Sequence, residues 1–334
     1  MASYLVALLA TAVVHVAASS DDCSLLQAKR EEQLSAAPEV ASSAENEDYD
    51  TSELSIVLPE QRSMLTLPLV VLQAHEHFPE LKIQLVYGHA NADFVHKQPS
   101  LKRLRTEEVL VLTAMPEPYF SKDMDFLDYQ HLLMEPAFWA ATPSKKLLMM
   151  QADTWICQDA HTHLRKFMNY SYIGAPWPSK DQSPCQVGNG GFSLRDREAM
   201  RKISKKFGNS DQNEDIFFCI HLEQAGEGLA PKSKAKHFAR ELPMPQDDQV
   251  ASEQDLPEEL VGVHKLPQWS QQQVKDVFEA RCPGVSLMLE ARTQEDTSPG
   301  WEESEKLVKR WKSSAQGRTV MLKRHQEGQE GTGK

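Results

Sequence analysis

The 334-residue chain has no CxxC pair, no internal repeat, no surplus of positive charge and no long apolar run beyond its first twenty residues. Each absence excludes something. Without paired CxxC spacings, a structural zinc site of the common kind is not encoded. A net charge of -12 argues against a nucleic-acid surface, which needs a basic patch. No later run is long enough to span a bilayer, which takes about 20 apolar residues. Cysteines are few: Cys23, Cys157, Cys185, Cys219 and Cys282. In an oxidising compartment some of them pair, an odd number leaves one over, and spacing alone does not fix the connectivity.

What is present falls into four stretches. "MASYLVALLATAVVHVAASS" is apolar from Tyr4 to Ala18 and then turns small and polar. That is the pattern of a secretory signal peptide over residues 1–18, although it lacks a basic n-region. Cleaved, it sends the chain into the ER/Golgi lumen or outside the cell; uncleaved, it is a signal anchor, the one way this chain would hold a membrane. Residues 19–53 follow as an acidic spacer. Between Asp21 and Glu53 ten acids stand against Lys29 and Arg30, so most of the net negative charge sits here. Such a composition predicts disorder. Residues 54–270 have globular texture. Residues 271–334 form a charged tail, partly helical or disordered, in which Trp301, Leu307 and Trp311 mark a short amphipathic helix.

Within 54–270, strand-like and helix-like stretches alternate. "LSIVLP", "KIQLVYG", "EVLVLTAM" and "KLLMMQADT" read as strands; residues 64–78, 125–141 and 160–169 read as helices. Alternation of this kind predicts an α/β domain with a mostly parallel sheet. Ligands of open α/β sheets bind beyond the carboxyl ends of the strands.

Several residues fall where that edge is expected, and each has two readings. Asp153, after "KLLMMQA", offers a carboxylate to a divalent metal or a ribose hydroxyl, or else caps the next helix. Trp177, between two prolines, presents a face for stacking a sugar or plugs a core. Gly188, Asn189, Gly190 and Gly191 either turn the chain into a strand or form a floor for a ligand, since glycine admits close approach. Glu214 and Asp215 open an apolar helix; they suit its dipole, and a carboxylate at a pocket edge also suits a general base. His264 ends a short strand, "VGVH", as a ligand or as a packed residue. Cys157, His161 and His163 have near-metal spacing without a fourth ligand. His75 and His77, two apart on a helix, do not share a face.

In this order the pieces resemble the DUF5672 family, domains of unknown function that look like glycosyltransferases of the A-type (GT-A) fold. The resemblance spans roughly residues 54–270 and rests on "LVYGHANADFV", "FWAATPSKKLLMMQADTWIC", "YIGAPWP", "VGNGGFSLR", "NEDIFFC" and "GVHKLPQW". It implies a single nucleotide-diphospho-sugar-binding α/β domain with disordered flanks. It implies a nucleotide-sugar donor, a glycan or other hydroxyl acceptor, and Mn2+ or Mg2+ held by Asp153 and His264. Here the acidic motif is "ADT" rather than Asp-x-Asp, so one carboxylate is offered. The resemblance further implies Asp215 and Glu214 as the catalytic pair. Glu60 and Arg62 would hold the nucleotide, and Trp177, Gly188, Asn189, Gly190 and Gly191 would line the donor and acceptor pocket. Two other readings stand beside it. One is a non-catalytic carbohydrate- or nucleotide-binding relative on the same scaffold. The other is a hydrolase using Cys157 or Cys185, for which no local nucleophile motif exists.

Overall fold

A computed structural model describes residues 48–177, 187–241, 256–265, 278–292 and 301–314. The leader, the spacer up to residue 47, Cys185 and residues 266–270 lie outside the described residues. A six-stranded sheet organises the rest. Its strands are β1 (Leu54–Glu60), β2 (Ile83–Tyr87), β3 (Leu110–Ala114), β4 (Lys146–Met150), β6 (Tyr172–Pro176) and β7 (Val187–Asp196), in the order β3-β2-β1-β4-β7-β6. The first four in that order are parallel, and β7 runs antiparallel to both its neighbours. A second, three-stranded sheet is ordered β5-β9-β8, from β5 (Thr154–Ile156), β8 (Ala239–Glu241) and β9 (Gly262–His264). The mostly parallel α/β expectation is therefore met.

Alternation along the strands sorts side chains to two faces. Leu54, Ile56 and Leu58 of β1, with Leu148 and Met150 of β4, join one apolar cluster; Val57, Leu147 and Met149 join the other. Helices α1 (Leu67–His77), α2 (Ala92–Lys97), α3 (Pro99–Thr106), α6 (Ala160–Leu164) and α9 (Lys232–Phe238) cover the first face. Helices α4 (Phe126–Met134), α5 (Pro136–Ala140), α7 (Arg197–Phe207) and α8 (Glu214–Ala225) cover the second. No helix among the described residues is long and apolar enough to cross a membrane.

Local chemistry explains the ends of these elements. Pro68 sits in the first turn of α1, where its missing N–H costs nothing. Asp125 caps α4 by accepting from the Asp128 amide at 2.9 Å, and Asp196 caps α7 by accepting from the Ala199 amide at 2.9 Å. The single helix expected over 125–141 is two helices. Pro136 forces Glu135 to φ -71°, ψ 126°, outside the helical region. The strand expected to run through Thr154 stops at Met150, and the chain turns at Gln151–Asp153 before β5. The helix expected over 160–169 gives way after Leu164 to a short 3-10 turn.

The described part of 271–334 shares the main core. Helices α10 (Ser286–Arg292) and α11 (Trp301–Ser313) follow Cys282, and Met288, Leu307, Val308 and Trp311 are buried with α1. The Ser304 hydroxyl donates to the Leu65 carbonyl at 2.9 Å, and Gln98 and Ser100 bond Glu305. A disulfide joins Cys157, just past β5, to Cys282. That bond corrects the cysteine-hydrolase reading at Cys157 and removes it as a zinc ligand, because a bridged sulfur offers no thiolate. Cys219 is also disulfide-bonded, its partner lying outside the described residues.

Candidate functional site

Where β4 ends at Met150, its neighbour β7 continues. Met150 pairs with Phe192, so Gly191 and Gly190 project past the carboxyl edge of β4. Gln151 and Asp153 leave the sheet beside them. On β9, His264 pairs with Thr154 and brings its ring to the same edge. Its Nε2 lies 3.4 Å from an Asp153 oxygen and 3.1 Å from Gln151 Oε1. Gln151 in turn donates from Nε2 to the Tyr129 hydroxyl at 3.0 Å. Asp153 therefore caps no helix, and the two residues expected as metal ligands are neighbours.

One carboxylate and one imidazole would offer a metal ion two protein ligands. His264 is 3% exposed, and its Nδ1 is buried without a hydrogen-bond partner among the described residues. The donor set fits a hard divalent ion that keeps positions for water and phosphate oxygens, as Mg2+ and Mn2+ sites do. Among the described residues, three such ligand atoms lie within 4.8 Å of one another only at Asp48, Glu80 and His161. Those residues are elsewhere: Glu80 precedes β2, at the amino edge of the sheet.

Glu60 ends β1 at the carboxyl edge and is buried. Arg62 folds back on it, donating from Nε and Nη2 to its two oxygens at 2.9 and 2.8 Å. The Arg62 side chain is 60% exposed, and its charge is held by Glu60 and further favoured by Asp153 and Tyr129. Arg62 is thus an accessible cation facing the Asp153 side of the site.

The glycine stretch is neither a turn nor an open floor. It is the first half of β7, and the chain's own side chains take up the space its missing Cβ atoms leave. A Cβ on Gly191 would stand 2.0 Å from His264 Nε2; one on Gly190 would stand 2.0 Å from Glu214 Oε1. Gly188 has φ +104°, and a Cβ there would meet the Tyr172 ring at 2.9 Å. Asn189 is committed as well. Its Nδ2 donates to Glu241 at 2.7 Å, and its Oδ1 accepts from the Gly191 amide at 3.1 Å. Trp177 is half-buried, with its indole nitrogen enclosed and without a hydrogen-bond partner among the described residues.

Glu214 and Asp215 open α8, and the structure gives them different surroundings. Both oxygens of Glu214 are taken by the fully buried Arg195, at 2.6 and 2.9 Å. Asp215 is 8% exposed and accepts from the Gly190 amide at 3.3 Å and the Ile216 amide at 2.8 Å. Burial, then the neighbouring Glu214 charge, push its carboxyl up to about 7; the two amides and Arg195 pull the other way. Of the two acids, Asp215 can exchange a proton near neutrality, while Glu214 is locked in an ion pair.

The sequence names Asp153, His264, Glu60, Arg62 and the Glu214–Asp215 pair as candidates, and the structure places Asp153 beside His264 and Arg62 on Glu60. It did not single out Gln151 and Arg195, which bond His264 and Glu214, nor Tyr129 and Glu241, which bond Gln151 and Asn189. Gln151, two residues before Asp153 at a strand end, was the one with a positional signal.

Residues 111–264 match the family model described as protein of unknown function (DUF5672). The match includes Asp153, the glycine stretch, Glu214, Asp215 and His264, and it leaves Glu60 and Arg62 outside. The motif resemblance is shown over that range. No curated protein matches the chain. Among solved structures, the mannosyltransferase PcManGT from Pyrobaculum calidifontis, in complex with GDP-Man and Mn2+, is 11% identical. That alignment covers 91% of this chain and 87% of that one, with a TM-score of 0.43. An active-site mutant of LgtC is 11% identical over 75% of this chain and 99% of that one, with a TM-score of 0.39. The bifunctional glycosyltransferase WbbM, in its apo form, is 10% identical over 78% of this chain and 52% of that one, with a TM-score of 0.41.

Proposed function

We propose that this site transfers a sugar from a nucleotide-sugar donor to a hydroxyl acceptor, with Asp215 as the base. The observation that carries the reading is Asp215: a buried carboxylate, raised to about 7, gripped by the Gly190 amide at the sheet's carboxyl edge. A base whose pKa lies near the working pH combines availability with driving force. In the reaction the acceptor oxygen bonds the anomeric carbon, the bond from that carbon to the phosphate oxygen breaks, and the nucleoside diphosphate leaves. The acceptor's proton goes to Asp215.

Arg62 supplies the accessible positive charge for the diphosphate. Asp153 and His264 are the residues that would hold Mn2+ or Mg2+, and such an ion supplies neutralisation of charge on the leaving group. Gln151 and Tyr129 orient His264. The glycines and Asn189 give the site its shape by admitting His264 and Glu214. Secretory entry through residues 1–18 belongs to the same proposal, and the Cys157–Cys282 disulfide supports an oxidising compartment.

The test is release of nucleoside diphosphate from a panel of nucleotide sugars in the presence of hydroxyl acceptors. Asp215→Asn is expected to cut turnover by about 100-fold or more, with the fold intact by circular dichroism. Full activity in that variant removes Asp215 from the role. A second reading, a binding module without turnover, is favoured by the single carboxylate at Asp153. It predicts nucleotide or glycan binding with no release for any donor and acceptor pair.

A further inference from the structure

Behind Asp215 lies a buried ion pair that the proposed chemistry does not use. Arg195 is enclosed in β7 with its fork on Glu214. Its Nε donates to the Ser193 hydroxyl at 2.9 Å, and its Nη2 donates to the Gly190 carbonyl at 3.3 Å. The rings of Tyr172, Trp139 and Phe218 surround the guanidinium carbon, with centroids at 4.8, 5.6 and 5.8 Å. A buried pair of this kind is weak evidence for stability, because apolar side chains of similar volume fill such space without the desolvation cost. Its geometry shows what else it does.

Gly190 is where the pair and the acid meet. The Gly190 carbonyl accepts from Arg195, and its amide donates to Asp215. The absence of a side chain there leaves room for Glu214, whose backbone amide is in turn fixed by Gln130 Oε1 at 2.7 Å. The first turn of α8 is therefore pinned to β7 and α4 at Glu214, one residue before Asp215.

We propose that Arg195 is a positioning residue of this site: by its fork on Glu214 and its bond to the Gly190 carbonyl, it fixes the first turn of α8 against β7 and so aims the Asp215 carboxylate. Glu214 is then the anchor and not a second base. The inference deepens the reading of Asp215 as the base, but it concerns the geometry of the free protein. The charged and titratable groups around Asp215 are Glu214 on its own helix, Arg195 on β7 and the buried Tyr172 phenol on β6. Glu214 raises the proton affinity of Asp215 and Arg195 lowers it, so a shift of either partner registers at Asp215.

The test needs no substrate. The full chain is labelled with 13Cγ aspartate and 15N glycine and titrated by NMR from about pH 4 to pH 9, with Asp215→Asn assigning the carboxyl signal. In the wild type the Asp215 carboxyl and the Gly190 amide are expected to titrate together. Arg195→Lys keeps the charge and loses the fork. The Gly190 amide is then expected to stop following Asp215, whereas a merely structural arginine would lower the melting temperature and leave both titrations unchanged. Glu214→Gln is expected to lower the Asp215 midpoint by about one pH unit or more, and this variant decides the matter if Arg195→Lys does not fold. A wild-type Gly190 amide that ignores Asp215, a folded Arg195→Lys protein with wild-type titrations, or an unmoved midpoint in Glu214→Gln overturns the proposal. Coupled titrations in a protein that transfers no sugar uphold the positioning role and remove only the transferase reading.

Discussion

At the scale of single residues, Asp215 works against the stability of the fold. Its folded proton affinity, about 7, lies above the ordinary carboxyl value of 3.8. Between roughly pH 4 and pH 7 the native state keeps a proton that the unfolded chain has lost, so stability falls as pH rises through that window. Above it the penalty is complete. Asp215→Asn is therefore expected to be more stable than the wild type at pH 8, by roughly 4 kcal/mol, and nearly equal to it at about pH 4. Urea denaturation at the two pH values measures this. A variant that loses turnover while gaining stability only at high pH is the signature of a carboxylate kept for its chemistry. A packing residue would lose stability at both values.

At the scale of elements, β7 decides the site. Gly191→Ala places a Cβ 2.0 Å from His264 Nε2, so the ring or the strand must shift and the His264–Asp153 geometry changes. The variant is expected to lose about 1–3 kcal/mol of stability and at least tenfold in Mn2+ affinity by calorimetry; unchanged affinity separates Gly191 from the metal site. This also shows how far the sequence could be read. The strands were legible because central strands buried on both faces are continuous apolar runs, as in "LSIVLP". The apolar spacing continues on both sides of Pro136, so periodicity alone predicts one helix where the proline makes two. The glycine stretch drew notice for its composition, but its purpose was hidden. Glu214 and His264, which fill its missing Cβ positions, lie far along the chain. Arg195 ends the "VGNGGFSLR" stretch with nothing local to give it a role, and only the fold shows it enclosed. Asp153 and His264 were paired through family resemblance, and the pairing of β5 with β9 brings them together.

For the whole molecule, the segment after Cys282 closes one face of the core. Trp311 is 1% exposed beside α1, and Trp311→Ala is expected to cost about 3–5 kcal/mol, read as a lowered urea midpoint. The Cys157–Cys282 bond spans 125 residues. Replacing both cysteines by serine is expected to cost about 4 kcal/mol through the freer unfolded chain, which reduction of the wild type should reproduce in part. Neither change replaces a residue assigned to the nucleotide site, so nucleotide binding by the folded fraction should persist. That the carboxyl edge of the sheet is a nucleotide-sugar site is checked most directly by isothermal titration of uridine and guanosine diphosphates into the full chain, with and without Mn2+. The expected result is binding that Mn2+ strengthens and that Asp153→Ala weakens about tenfold or more. No binding of either nucleotide under any condition, or binding indifferent to Asp153, contradicts it.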